Sequence, residues 1–349
     1  MQPSLLRVAV SVLLAACGCT SGSGNTWKEV TVTLGPDAAA WSLPATLLLP
    51  RSAAAVPCVV FFAGSGPTDR NWLSPLLAGR NGSGQQLAEG LASKGIGSLR
   101  FDKVGSGANM DHLDALSLAH YVEEGTLAFD FLAARPECSR VFLLGHSEGA
   151  LHATATAVSR QSAPRFGGLI LMAGYSRSML ETAVGQIHRL HARTGDDIMA
   201  IDATLRSFDD AVRSLPGSTP PDLSRAPEAA GLWTAATDPR LGSVVRELLL
   251  ADPLGAARAH HGPVLVLAAG RDAQVETMDA DRLLDALGSP PESKRRAVIA
   301  EANHVFERED RDPAQLSDAD VAAGYAAEGH PLAGGTVDEI ATFVQANRR

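Results

Sequence analysis

Residues 141–150 read VFLLGHSEGA. An apolar run of strand character ends on a serine held between two glycines, Gly145-x-Ser147-x-Gly149, and a small-residue stretch, Ala150-Leu151-His152-Ala153-Thr154-Ala155, follows at once. Gly-x-Ser-x-Gly alone is a weak signal in a chain with 33 glycines. It gains weight only from its setting, a buried strand before it and a helix after it. In that setting the glycines have a physical task. A serine at a sharp strand-to-helix turn is backbone-strained, and side chains at 145 or 149 would collide with neighbouring backbone. The turn lifts the hydroxyl above the sheet, and the helix that follows aims its positive N-terminal end at any oxyanion formed there. Ser147 is therefore the candidate nucleophile.

The flanking sequence supplies such a sheet. β-rich apolar runs lie at about 29–34, 43–49, 58–63, 96–101, 141–145, 168–173, 264–269 and 296–300, with helical patterning at 85–94, 123–135, 150–160 and 337–347. The alternation predicts an α/β fold with an eight-stranded, mostly parallel sheet covered on both faces. No internal repeat is present. From 178 to 261 the strand pattern gives way to helical period, as in MLETAVGQIHRLHA and IMAIDATLRSFDDAVRSL, divided by the turn-rich LPGSTPPDLSRAP. The expectation is a helical lid, 178–261, inserted between strands six and seven of a core formed by 27–177 and 262–349. An insertion at that end of a sheet usually shapes the substrate pocket.

A serine hydroxyl is a poor nucleophile near neutral pH and needs a base within hydrogen-bond reach, itself oriented by a carboxylate. After such an elbow the partners follow in the order acid, then histidine. His304, in the loop EANHVF directly after the last strand, is the expected base; His330, in AEGHPLAGG, reads as a late surface residue. Asp272, in GRDAQV after VLVLAAG, is the expected acid. Glu276 and Asp279 stand further from the strand end and read as the solvated start of a helix. The two backbone donors for a tetrahedral intermediate are expected from Glu148 and from the loop FFAGSGPTDR, Ser65 first and Gly66 second.

Composition excludes several classes. The net charge of −9 and the absence of Lys/Arg-rich blocks argue against nucleic acid as a partner. The Gly-rich loop is not a phosphate loop, because no Gly-Lys-Ser/Thr follows it. No His-Glu-x-x-His pattern occurs, and His260-His261 read as a surface pair at the lid boundary, so neither metal nor cofactor is called for. Oligomeric state has no sequence signal.

The N-terminus, MQPSLLRVAVSVLLAACGC, has Arg7, an apolar stretch from Val8 to Ala16 and small residues before a cysteine, which is a leader too short to span a bilayer as a mature helix. Leu14-Ala15-Ala16-Cys17 resembles the lipobox of bacterial lipoprotein signal peptides. The resemblance implies a leader 1–16, a lipidated Cys17 opening the mature chain, and a flexible tether 17–26. Its corollary is an extracytoplasmic protein anchored to a bacterial membrane, with Gly18 in place of a retention Asp favouring the outer one; a cleaved, soluble periplasmic or secreted product is the alternative. That compartment permits disulfides. If the strands opening at Cys58 and following Cys138 are neighbours, these two cysteines share one end of the sheet and are either bridged or two buried thiols.

Together, FFAGSGPTDR, LASKGIGSLRFDKVGSG, GHSEGA, AGRDAQV and ANHVF resemble the α/β-hydrolase superfamily, and within it bacterial serine carboxylesterases with a Gly-Ser-Gly-Pro loop after the third strand. The resemblance runs from about residue 30 to the C-terminus and is weakest across the insertion. It implies Ser147, Asp272 and His304 as nucleophile, acid and base, a small-molecule ester as substrate, and proximity of Cys58 and Cys138 through neighbouring strands three and five. Two positions depart from the family pattern: Ala63 replaces a histidine before the oxyanion glycine, and Val104 an arginine after Asp-Lys. Thioester, lactone and peptide substrates fit the same triad, since the insertion sets the acyl and leaving groups. A binding protein on a hydrolase scaffold is the competing class, against which the intact Ser/Asp/His order weighs.

Overall fold

Strands β3 (Val56–Phe62), β5 (Cys138–His146), β6 (Phe166–Met172) and β7 (Val264–Ala269) form the parallel centre of one sheet in the computed structural model, which describes residues 26–35, 42–52, 54–76, 80–110, 113 and 116–348. The expected leader 1–16, Cys17 and the expected tether as far as residue 25 lie outside the described residues. Each central strand is apolar on both faces because helices cover both, so β3, β6 and β7 are buried along their whole length. With β1 (Trp27–Leu34), β2 (Leu43–Pro50), β4 (Gly97–Phe101) and β8 (Lys294–Ile299), the order across the sheet is β1-β2-β4-β3-β5-β6-β7-β8. Only β2 runs against its neighbours, β1 and β4. The expected eight strands are all present. Edge strand β8 carries Lys294, Arg295 and Arg296, charges that discourage pairing with another chain.

On one face α1 (Ser83–Ser93) and α11 (Thr336–Ala346) bury Leu87, Leu91, Ile340, Phe343 and Val344 against Phe61, Phe142 and Ile170. On the other, α2 (Leu118–Ala133), α3 (Glu148–Arg160) and α9 (Thr277–Ala286) contribute Phe129, Leu132, Ala153, Ala157 and Leu283 to a second layer with Val60, Leu143 and Leu171. Between β6 and β7 the chain forms α4 (Met179–Thr194), α5 (Ile198–Arg213), α6 (Ala229–Thr237), α7 (Gly242–Leu250) and α8 (Pro253–Arg258). These helices have a core of their own, with Leu180, Ile187, Ile201, Leu205, Phe208 and Leu249 facing one another. A further helix, α10 (Asp318–Ala326), follows the loop that bears His304.

β3 and β5 are parallel neighbours, which sets Cys58 and Cys138 at one end of the sheet. Their sulfurs are bonded, with Cα atoms 5.6 Å apart and a sequence separation of 80. A crosslink across so long a loop acts mainly by restricting the unfolded chain. Cys58→Ala/Cys138→Ala is expected to lower the unfolding free energy by about 2–5 kcal/mol in non-reducing denaturant titrations; an unchanged midpoint would contradict a crosslink in the mature protein.

His260 corrects one expectation. It is fully buried rather than superficial, with its ring edge-on to Phe166 at 5.9 Å.

Candidate active site

At the carboxyl end of β5 the chain turns into α3 through Ser147, whose φ of 54° and ψ of −122° are unfavourable for any residue with a Cβ. The turn is held by Ser147 N–H donating to Met172 O at 2.9 Å and Ala150 N–H donating to Ser147 O at 2.9 Å. The flanking glycines are required by contact. A Cβ on Gly145 would stand 2.2 Å from Gly149 O, and one on Gly149 would stand 2.4 Å from Phe62 O. Both obstacles are backbone and cannot swing aside. Gly145→Ala is therefore expected to cost at least about 3 kcal/mol, beyond ordinary overpacking, and to lower the melting temperature accordingly. A variant as stable as the parent would refute the close packing of elbow and helix.

Two loops bring partners to Ser147. His304 Nε2 lies 3.1 Å from Ser147 Oγ, and His304 Nδ1 lies 2.8 Å from Asp272 Oδ2. Both His304 and the Asp272 carboxylate are buried. Asp272 Oδ1 accepts the backbone N–H groups of Gln274 at 2.7 Å and Val275 at 3.0 Å, which fixes the carboxylate. The two loops are tied by Arg271 N–H donating to Ala302 O at 2.7 Å, and Asn303 Oδ1 accepts from Val305 and Glu307 N–H, each at 3.0 Å. The sequence-expected triad is thus brought together in hydrogen-bond order. His330 is elsewhere, 3.8 Å from Glu307.

The rivals for the acid have other partners. Asp279, read as solvated, is buried: its Oδ1 accepts Ser176 N–H at 3.1 Å and the Ser176 hydroxyl, and its Oδ2 lies 3.2 Å from the Arg177 guanidinium. It anchors the start of the insertion to α9. Glu276 pairs with Arg189 at 2.8 Å.

A cavity of about 240 Å³ opens on Ser147 and His304 and is lined by Gly64, Ser65, Gly66, Trp72, Gln274 and Tyr325, among others. Gln274 and Tyr325, joined by a 2.7 Å hydrogen bond, also border a cavity of about 380 Å³ under α4, with Ile187, Leu190 and Leu232 on its wall. Ser65 borders the first cavity, and its amide donates to no protein group among the described residues. Glu148 is the first residue of α3, where an amide has no partner within the helix.

Sequence reasoning missed three supports. His146 Nε2 lies 2.8 Å from His304 O, a carbonyl that can only accept, so the ring carries its proton there. Burial, reinforced by nearby His304, pulls the His146 pKa down to about 3 and keeps the ring neutral. Trp72 stacks on it with centroids 4.6 Å apart. Arg70 pairs with Asp102 at 2.6 Å, and Asp102 also accepts Arg70 N–H at 2.8 Å and Ala108 N–H at 2.9 Å, clamping the 64–76 loop. Lys103 Nζ, buried, donates to Gly64 O at 2.6 Å and Glu148 Oε1 at 3.0 Å. The motifs TDR and FDKVGSG were the available signal.

Residues 78–311 match the family described as serine aminopeptidase, S33. The chain belongs to that family. Its fold is the α/β-hydrolase fold, the eight-stranded sheet described above. Among curated proteins, this S33-family chain is 27% identical over 281 residues to Esterase EstD of Thermotoga maritima, covering 80% of this chain and 60% of that protein. The chain thus spans about 60% of the length of the curated relative it matches. Two solved structures share its fold. DcsB in complex with its substrate analogue superposes with a TM-score of 0.54 at 13% identity, covering 92% of this chain and 100% of that one. Est1E from Butyrivibrio proteoclasticus, with ferulic acid bound, does so at 0.52 and 15% identity, covering 84% and 97%.

Proposed function

We propose that this S33-family hydrolase cleaves carboxylic esters through an acyl-enzyme on Ser147. The observation that carries the reading is the chain of hydrogen bonds Ser147 Oγ to His304 to Asp272 at the head of a cavity. In the first step Ser147 Oγ attacks the ester carbonyl carbon as its proton passes to His304 Nε2. The oxyanion accepts from the Ser65 and Glu148 amides, with Gly66 as the alternative loop donor. The alcohol then leaves with the proton from His304, and a water molecule, deprotonated by His304, releases the acid and restores Ser147.

Kinship to Esterase EstD supports ester rather than amide bonds. Short to medium acyl chains are favoured because most of the insertion's buried apolar residues, Leu180, Ile201, Leu205 and Phe208 among them, pack into its own core, leaving Ile187, Leu190 and Leu232 on the wall of the neighbouring cavity. The family's description as serine aminopeptidase makes peptide bonds the second reading. The Gly-Ser-Gly-Pro loop, residues 64–67, belongs to the same proposal as the oxyanion loop. So does the lipid anchor on Cys17, which places the enzyme outside the cytoplasm, where the Cys58–Cys138 pair can persist.

The test is a fluorophosphonate adduct located by intact mass and peptide mapping, followed by p-nitrophenyl esters from acetate to palmitate beside aminoacyl p-nitroanilides. A single adduct on Ser147 and turnover of the shorter esters are expected. Turnover of the anilides alone would replace the ester reading with the peptidase one, and a folded protein that takes no adduct would end both.

A further inference from the structure

Among the described residues, the Lys103 ammonium is the one cation that touches both arms of the proposed oxyanion site. It lies at the end of β4, with its side chain only 6% exposed, and reaches across to donate to Gly64 O at 2.6 Å and to Glu148 Oε1 at 3.0 Å. Tyr121 lies beneath it, with the ring centroid 5.6 Å from Nζ. Glu148 also accepts from His152 Nε2 at 3.2 Å. Burial alone would raise the Glu148 carboxyl, but Lys103 and His152 outweigh it and hold the group well below the usual carboxylate range. His152 is itself lowered by burial, and Lys103 is the larger source of the charge that balances Glu148.

The direction of the Gly64 bond matters. The Gly64–Ser65 peptide is trans, since the single cis bond among the described residues is Leu215–Pro216. In a planar trans peptide the carbonyl and the following N–H point in opposite directions. A cation holding Gly64 O therefore turns the Ser65 N–H to the opposite edge of the peptide, away from itself, and Gly64 and Ser65 both line the cavity shared with Ser147. The second contact holds the first residue of α3, whose amide is the other donor. Ala63, directly before Gly64, has no polar side chain with which to brace this loop.

We infer that Lys103 is a positioning residue for the oxyanion site: through Gly64 O it aims the Ser65 amide, and through Glu148 it fixes the Glu148 amide, so both donors meet the developing oxyanion without rearrangement. The inference rests on the acyl-enzyme reading of Ser147. A preorganised donor of this kind acts on the transition state and not on substrate binding. Lys103 touches no reacting atom, so its loss appears in kcat.

Removing Lys103 alone would leave the Glu148 carboxylate buried without a cation, a change that can unfold a protein. The test therefore uses charge-neutral doubles of the full folded body, Lys103→Met/Glu148→Gln and Lys103→Gln/Glu148→Gln, checked by circular dichroism and melting. Expected for each folded double is a fall in kcat of about 100-fold or more, the effect of losing one oxyanion donor. KM should stay within about threefold, and affinity for a boronic acid that becomes tetrahedral on Ser147 should fall in parallel with kcat. Lys103→Arg, which keeps a cation at the site, should recover part of the rate. A folded double with kcat within about threefold of wild type, or one whose loss lies in KM, overturns the inference while leaving the esterase reading intact. A wild type that turns over no ester and takes no fluorophosphonate overturns the reading of the site, and the inference with it.

Discussion

Ser147→Ala is expected to lower kcat on the best ester by about 10⁶-fold, the loss seen when an activated serine is removed from a triad that works as a unit. Among the described residues the hydroxyl makes a single side-chain hydrogen bond, to His304 Nε2 at 3.1 Å. Its strained backbone is held by main-chain bonds to Met172 and Ala150 that alanine preserves. Alanine bears the same Cβ as serine, so the φ of 54° costs it no more. Melting temperature should therefore change by no more than about 1 °C, an effect of about 0.7 kcal/mol for a chain of this length. KM should stay nearly constant, because the cavity walls and the two amide donors remain. The residual rate over water, about 10³-fold, would come from those donors and from binding. A stable variant that keeps more than a tenth of the wild-type kcat would show that Ser147 is not the nucleophile and that another group carries the turnover.

The parts of this molecule readable from sequence are those whose cause is local. Parallel strands buried on both faces produce runs such as CVVFFA and VLVLAA, and β3 and β7 lie where those runs fall. The elbow is equally local, because Gly145 and Gly149 are demanded by backbone within four residues of each other and by the adjoining strand β3. His304 and Asp272 follow strand ends, which restricts their placement to one edge of the sheet. What escaped is decided by contacts distant in sequence. Lys103 meets Gly64 across 39 residues and Glu148 across 45, and no periodicity announces either meeting. Asp279 opens an amphipathic helix as a solvated residue would, yet Ser176 and Arg177, over 100 positions earlier, surround it. His260 has the composition of a boundary loop but is covered by Phe166. The nine-residue helices α6 and α7 are too short for period to separate them from the turn-rich sequence beside them.

Asp272→Asn tests the remaining member of the triad with little change of shape, and is expected to lower kcat by about 10⁴-fold at neutral pH. The direction follows from where each oxygen points. Oδ1 accepts the amides of Gln274 and Val275, so an asparagine keeps its own carbonyl oxygen there and turns its NH₂ toward His304 Nδ1. A donor facing Nδ1 forces that nitrogen to accept and moves the ring proton to Nε2. Nε2 then points a proton at Ser147 Oγ instead of a lone pair, and it cannot take the proton that attack must shed. Asp272→Ala would mix this effect with loss of the turn that places Gln274 against Tyr325, so only the asparagine variant isolates the tautomer. With the turn kept, KM and melting temperature should hold while kcat falls, and fluorophosphonate labelling should slow by a similar factor. If the variant retains more than a tenth of the wild-type kcat, the orienting carboxylate lies elsewhere. The nearest rival, Glu276, would then have to leave its 2.8 Å pairing with Arg189 to serve.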